Sequence, residues 1–130
     1  MLDSIINEFD KALKVLTVDT PAQRTRPDVD IKDSLSLTSK ERKNHSKFMR
    51  VNHSGEICAQ ALYRGQLLFN KNTKIQKQLE DAATEELDHL AWCQLRIREL
   101  NGRTSYLNPM LYIGSFAIGS IASIIDEKYN

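Results

Sequence analysis

Glu86 and His89 stand three residues apart, a spacing that points both side chains the same way from a helix, so that one cation can take both. The stretch around them has an apolar stripe running through Ile75, Leu79, Ala82, Ala83, Leu90, Cys93, Ile97 and Leu100. The helical period puts Glu86 and His89 in the middle of that stripe. Their neighbours Glu85 and Asp88 fall toward the other side with Lys77 and Glu99 and read as solvated face. A carboxylate pressed against an apolar partner costs several kcal/mol unless something pairs with it, and a metal cation is an efficient partner. Glu56 repeats the pattern upstream, sharing a face with Met49, Ala59, Tyr63 and Leu67. Taken singly, Glu56 reads as a surface carboxylate and Glu86 with His89 as a solvated or salt-bridged pair. Together they read as a metal site. Oxygen ligands with one imidazole suit iron or manganese better than structural zinc.

The elements that must position these groups follow from periodicity. Ile5, Ile6, Phe9, Leu13 and Leu16 predict an amphipathic helix over residues 3–16, capped by Asp3 or Ser4, within an N-terminal segment 1–17. Residues 18–38 hold Pro21, Pro27 and several Asp with no apolar period, and read as a linker laid over the surface. Two long helices and an apolar segment are expected over 39–130. The first helix starts near Ser39 or Ser46 and runs to about Asn70. The second runs from about Lys74 to Asn101, with Gly102 where a C-terminal cap belongs. The two form an antiparallel hairpin over about 46–101. Glu56 lies about 15 residues before the connecting turn and Glu86 about 14 after it, hence roughly 20 Å each at the helical rise. That equal level is what a shared site needs. A charge-free stretch, about 110–125, fits a buried core helix or one lying in a membrane interface; its Gly and Ser content argues against a spanning helix.

Other residues have plainer readings. His53, on the flank of the Glu56 face, reads as a partly exposed histidine. Cys58 reads as a small buried or half-buried residue, Cys93 as packing, and Tyr63 as core. Trp92 and Tyr112 fit either a core or a lipid interface. Lys40, Arg42, Lys43, Lys47 and Arg50 are opposed only by Glu41. They read as a solvated helix start or as attraction to anionic lipid head groups.

Composition narrows the classes. The chain has 130 residues, 18 Lys and Arg against 17 Asp and Glu, and net charge +1, which argues against a nucleic-acid binder. Hydrophobic residues at 41% and charged residues at 27% are an ordinary globular mix, the length suits one domain, and no strand signal interrupts the helical periods, so an all-helical chain is expected. Two cysteines exclude a disulfide scaffold or an all-cysteine zinc site. Asp3, Glu8 and Asp10 occupy the place where a secretory signal needs a basic start and an apolar run. A cytoplasmic or cytoplasmic-face location is expected, with reduced thiols.

Three long motifs carry a family resemblance. Met49-Arg50-Val51-Asn52-His53-Ser54-Gly55-Glu56 with Ala59 through Gln66 is the first. Glu85-Glu86-Leu87-Asp88-His89-Leu90-Ala91-Trp92-Cys93 is the second. Leu107-Asn108-Pro109 through Gly119 is the third. Over residues 35 to 125 the chain resembles the Coq7 family of ubiquinone-biosynthesis hydroxylases. The resemblance implies a ferritin-like four-helix bundle with a carboxylate-bridged di-iron centre. It implies O2-dependent hydroxylation of 2-polyprenyl-3-methyl-6-methoxy-1,4-benzoquinol, with electrons passing from NADH. It also implies peripheral attachment to the cytoplasmic side of the cell membrane. Carried over by motif, Glu56 binds one iron, Glu86 bridges two, and His89 completes the first iron's protein ligands.

Members of that family supply a further Glu and a second Glu-x-x-His from two later helices, whereas this sequence ends at Asn130 with three such ligands. Roughly the first half of the bundle is therefore expected. Three explanations compete: a fragment or inactive truncated product, a second chain completing the site, or two copies pairing about a two-fold axis. A reading of another class stands beside them: a non-catalytic, membrane-associated helical protein that is metal-free or binds iron only for storage.

Overall fold

The computed structural model describes residues 1–17, 19–29 and 36–129. It contains α1 (Leu2–Thr17), α2 (Ser39–Phe69), α3 (Thr73–Glu99) and α4 (Asn108–Tyr129), with no strand among the described residues. The chain is all-helical, as expected for a ferritin-like bundle.

Local chemistry sets the helix ends. Thr38 and Glu41 form a reciprocal capping box: Thr38 Oγ1 accepts from the Glu41 N–H at 3.2 Å, and the Thr38 N–H donates to Glu41 Oε2 at 2.8 Å. That box selects Ser39 over Ser46 as the start of α2. Asn72 caps α3 by accepting from the N–H groups of Lys74 and Ile75. At the other end of α3, Asn101 takes the left-handed conformation at φ 53°. The Asn101 N–H then reaches Arg98 O and the Gly102 N–H reaches Ile97 O, both at 2.9 Å, a complete Schellman arrangement. Gly102 is therefore not the left-handed cap expected from the sequence. Its lack of a side chain serves space: a Cβ there would lie 1.8 Å from the buried Ser46 Oγ.

α2 is the central element, packing along α3 and along α4, while α3 and α4 do not meet. The α2–α4 crossing is close because glycines line it. A Cβ on Gly65 would stand 2.2 Å from Phe116 O, and one on Gly119 would stand 2.2 Å from Leu62 O. Ser120 Oγ donates to Gly65 O across this seam at 3.3 Å. α4 is longer than the stretch anticipated, reaching back to Asn108 with Pro109 in its first turn, and on to Tyr129. Residues 108–128 are long and apolar enough to cross a membrane, by length and composition. α4 is not a buried core helix in this structure. Ser120 and Ser123 are buried on α2, whereas Ile113, Ile118, Ile121, Ile124 and Ile125 are exposed.

α1 leans on α2 and α4 through Val15, which joins Ile57, Ala61, Leu90 and Tyr112 in the core. Its orientation is fixed by the Arg64 guanidinium, which donates twice to the Glu8 carboxylate, through Nε at 2.9 Å and through Nη2. Ile5, Ile6 and Phe9 stay exposed. Residues 19–29 form a strap across α3. The Thr20 N–H donates to Gln94 Oε1 at 3.0 Å, and the Arg26 guanidinium to Glu99 Oε1 at 2.8 Å. The rest of the linker, Val18 and residues 30–35, lies outside the described residues.

Candidate metal centre

The α2–α3 hairpin holds its ionisable groups where the two helices are level. Glu56 comes from α2, and Glu86 and His89 come from successive turns of α3. One ligand atom from each lies within 4.8 Å of the others. His89 Nδ1 stands 3.3 Å from Glu86 Oε2 and 3.9 Å from Glu56 Oε2. The side chains of Glu56 and Glu86 are only 23% and 21% exposed, and that of His89 41%. All three residues picked out by stripe position and spacing are thus brought together.

The electrostatics of the cluster favour a cation. Burial pushes the Glu56 carboxyl up to about 8, and a hydrogen bond to Glu86 with the like charge beside it pushes the same way. At neutral pH the two carboxyls therefore hold a proton between them. A metal ion can take the place of that proton and satisfy both oxygens and the imidazole at once. Two carboxylates and one imidazole form a donor set that suits iron or manganese. Trp92 lies against the ligand cluster, its ring 5.4 Å from that of His89. Trp92 also donates through Nε1 to Arg24 O at 3.3 Å, so it packs within the protein.

Cys93 lies one turn beyond His89 and is buried. Burial first, then the charge of Glu56, pushes its thiol up to about 11, so it is a neutral packing group. Cys58 is half-buried and free, and Tyr63 is half-buried.

Two sequence readings need correction. His53 is not partly exposed; it is 2% exposed. Its Nδ1 lies 3.3 Å from Asn108 Nδ2, and Ser54 Oγ donates to Asn108 Oδ1 at 2.8 Å. The amide nitrogen of Asn108 is a donor, so His53 Nδ1 accepts and Nε2 carries the proton. Burial holds the His53 pKa below its usual value and the ring neutral. This cluster ties the start of α4 to α2. The signal in the sequence was position, since His53 lies one turn before the buried Ile57. Asp88 is not solvated face either. It is buried, accepting from the Gln23 N–H at 2.6 Å and from Arg24 Nε at 2.7 Å. The hydrogen bonds from Arg24 and from the Gln23 backbone hold its carboxyl below the usual range. Helical periodicity placed Asp88 correctly off the α2 face, but the strap covers that side too. Glu85 is exposed, as read.

The family model described as ubiquinone biosynthesis protein COQ7 matches residues 43–130. Among curated relatives, the 3-demethoxyubiquinol 3-hydroxylase of Chromobacterium violaceum is 47% identical over 130 residues, all of this chain and 63% of the relative. That of Polynucleobacter necessarius is 46% identical over 129 residues, covering 99% of this chain and 62% of the relative. That of Nitrosospira multiformis is 49% identical over 130 residues, again 99% and 62%. The chain thus spans less than two thirds of the length of these relatives. No solved structure matches it. With its longest motifs and its acidic hairpin inside the matched region, the chain belongs to the COQ7 family of ubiquinone biosynthesis proteins.

Proposed function

We propose that this chain provides Glu56, Glu86 and His89 to a di-iron centre that hydroxylates the ring of a polyprenylated demethoxyubiquinol with O2. The observation that carries the reading is the convergence of the three donors within 4.8 Å. Iron bound there would supply the activation of O2. One oxygen atom enters a ring C–H bond and the other leaves as water, so two electrons and two protons are also consumed. In this reading Glu56, Glu86 and His89 would hold iron, and the Glu56 carboxyl would give up its proton on doing so. The hydrophobic wall of Ile57, Leu90 and Tyr112 behind the hairpin keeps bulk water from its inner side. Three donors hold two irons poorly. The remaining ligands therefore come from further polypeptide, from a second chain, or from a second copy.

The same proposal places the protein at the cytoplasmic side of the cell membrane, attached peripherally, where the polyprenyl tail of the substrate would reside. The exposed isoleucine face of α4 and the exposed Ile5, Ile6 and Phe9 of α1 support that position.

Anaerobic titration with ferrous iron, read by equilibrium dialysis and metal analysis, tests the site. Iron uptake should fall at least ~100-fold in affinity in Glu86→Ala, since a ligand is lost. Uptake that Glu86→Ala leaves unchanged would remove the centre. Complementation of cells lacking the hydroxylase, with and without Glu86, then tests the reaction. Rescue unchanged by Glu86→Ala would remove the iron mechanism.

A further inference from the structure

The basic residues near the start of α2 do not form an even solvated face. Arg42, Lys43, Lys47 and Arg50 line a cleft of about 610 Å³ whose other wall is the turn at the end of α3, which adds Arg103. No acidic side chain lines it. Two of the guanidiniums are held in place by main-chain oxygens. Arg42 Nη1 donates to Glu99 O and Arg50 Nε to Arg103 O, each at 3.0 Å. A carbonyl orients a guanidinium without cancelling its charge. The nearby carboxylates are engaged elsewhere: Glu41 in the Thr38 cap, and Glu99 with Arg26 and Arg96. Five cations therefore converge on one concave surface of a chain whose net charge is only +1.

That cleft has an apolar fringe. Phe48 and Val51, beside Lys47 and Arg50 on α2, are both 71% exposed. The Arg103 guanidinium lies 4.0 Å from the centre of the Tyr106 ring, which is 82% exposed, and Leu107 beside it is exposed as well. We propose that this cleft and its fringe form a docking site for the phosphate head groups of an anionic bilayer, the fringe entering the head-group layer. A lipid supplies both chemistries at once, an oxyanion for the cleft and hydrocarbon for the fringe. A free phosphate offers nothing to Phe48, Val51 or Leu107. A nucleic acid could stack on Phe48 or Tyr106 but would leave Val51 and Leu107 in water, whereas hydrocarbon would cover them. The inference deepens the membrane part of the proposed function and is independent of the metal.

Vesicle flotation of the whole chain, without added iron or quinol, tests it. Vesicles of phosphatidylcholine alone are compared with vesicles carrying about a third phosphatidylglycerol. Binding should be stronger to the anionic vesicles and fall as salt rises. The double substitution Lys43→Glu with Lys47→Glu should weaken binding at least ~25-fold, at about five-fold per cation removed. Both lysines are exposed, so the fold should persist, which circular dichroism checks. If the reversals disturb it, Lys43→Gln with Lys47→Gln asks the same question more gently. Lys74→Glu with Lys77→Glu makes the same change in net charge at the far end of α3, roughly 35 Å away, and should weaken binding less than two-fold. Equal binding to neutral vesicles would overturn the inference while leaving a purely apolar membrane contact standing. Equal loss in the Lys74 and Lys77 variant would also overturn it, by reducing the effect to net charge. So would millimolar inorganic phosphate that strips the protein from vesicles, since a free anion would then be the occupant.

Discussion

The two long interfaces of α2 are built from opposite materials. Against α3 it meets ionisable side chains: Glu56 faces Glu86 and His89, one ligand atom of each lying within 4.8 Å of the others. Against α4 it meets backbone, with Gly65 and Gly119 letting main chains touch and with Ser120 bonded to a carbonyl. The first seam sets two carboxyls beside one imidazole, a grouping that a cation would satisfy. The second is tight and needs nothing added. The difference shows how one helix can carry a reactive centre. Beside the acids the α3 seam is packed as well, since Ile57 of α2 and Leu90 of α3 are fully buried, so the half-buried acids sit within an otherwise apolar interface.

The strongest way to break that contrast is to fill the tight seam. Gly65→Val should force α4 off α2, because its Cβ would meet Phe116 O at 2.2 Å. The expected loss is about 3 kcal/mol or more, at the upper end of overpacking, read by denaturant unfolding. Glu86→Ala in the acidic seam should cost less than about 1 kcal/mol in the metal-free protein, since water can reach the half-buried partners it leaves and replace its hydrogen bonds. Equal costs would mean that the two interfaces do not differ in kind.

Next in size is the strap on the outer side of α3. Asp88→Ala leaves the Gln23 N–H without its acceptor and frees Arg24. About 2 kcal/mol should be lost, with new proteolytic cleavage within residues 19–29. Unchanged protease resistance would show that the strap is held by its other contacts.

The metal-free α2–α3 seam should also respond to pH, and the sign is fixed by Glu56. Its folded pKa, about 8, lies above the ordinary 4.5 of the unfolded chain. Between those values the folded state holds a proton that the unfolded state has released. Stability therefore falls as pH rises through this window, by at most about 1.4 kcal/mol per unit. Glu56→Gln should flatten the slope. A slope that survives the substitution would assign it to another group. By the same competition, the affinity for ferrous iron should rise with pH across this window.

These seams were unequally legible in the sequence. The metal cluster was legible because period and level are one-dimensional properties: Glu86 and His89 on one stripe, Glu56 the same distance from the turn. The α2–α4 seam was not, since Gly and Ser in an apolar run look like weak membrane-helix character until the partner main chain is seen beside them. His53 and Asp88 were misplaced for a related reason. Helical periodicity tells which residues share a face, but not that Asn108 or the strap covers a second face. The start of α2 stayed open between Ser39 and Ser46 although the Thr38 and Glu41 pair was present, because capping chemistry outranks the apolar period there.

The smallest expected effect separates glycines within α2 itself. Gly55 lies in the same helix as Gly65, next to the candidate ligand Glu56, yet a Cβ built on it meets nothing within 4 Å. No close approach demands its smallness. Gly55→Ala should therefore stabilise the protein by about 0.5–1 kcal/mol, the ordinary helix preference for alanine, with iron uptake unchanged. Thermal unfolding of Gly55→Ala and Gly65→Ala side by side gives opposite signs if only the α4 seam needs glycine. A loss at both positions would mean that something outside this chain approaches α2 at Gly55, on the flank of the metal cluster.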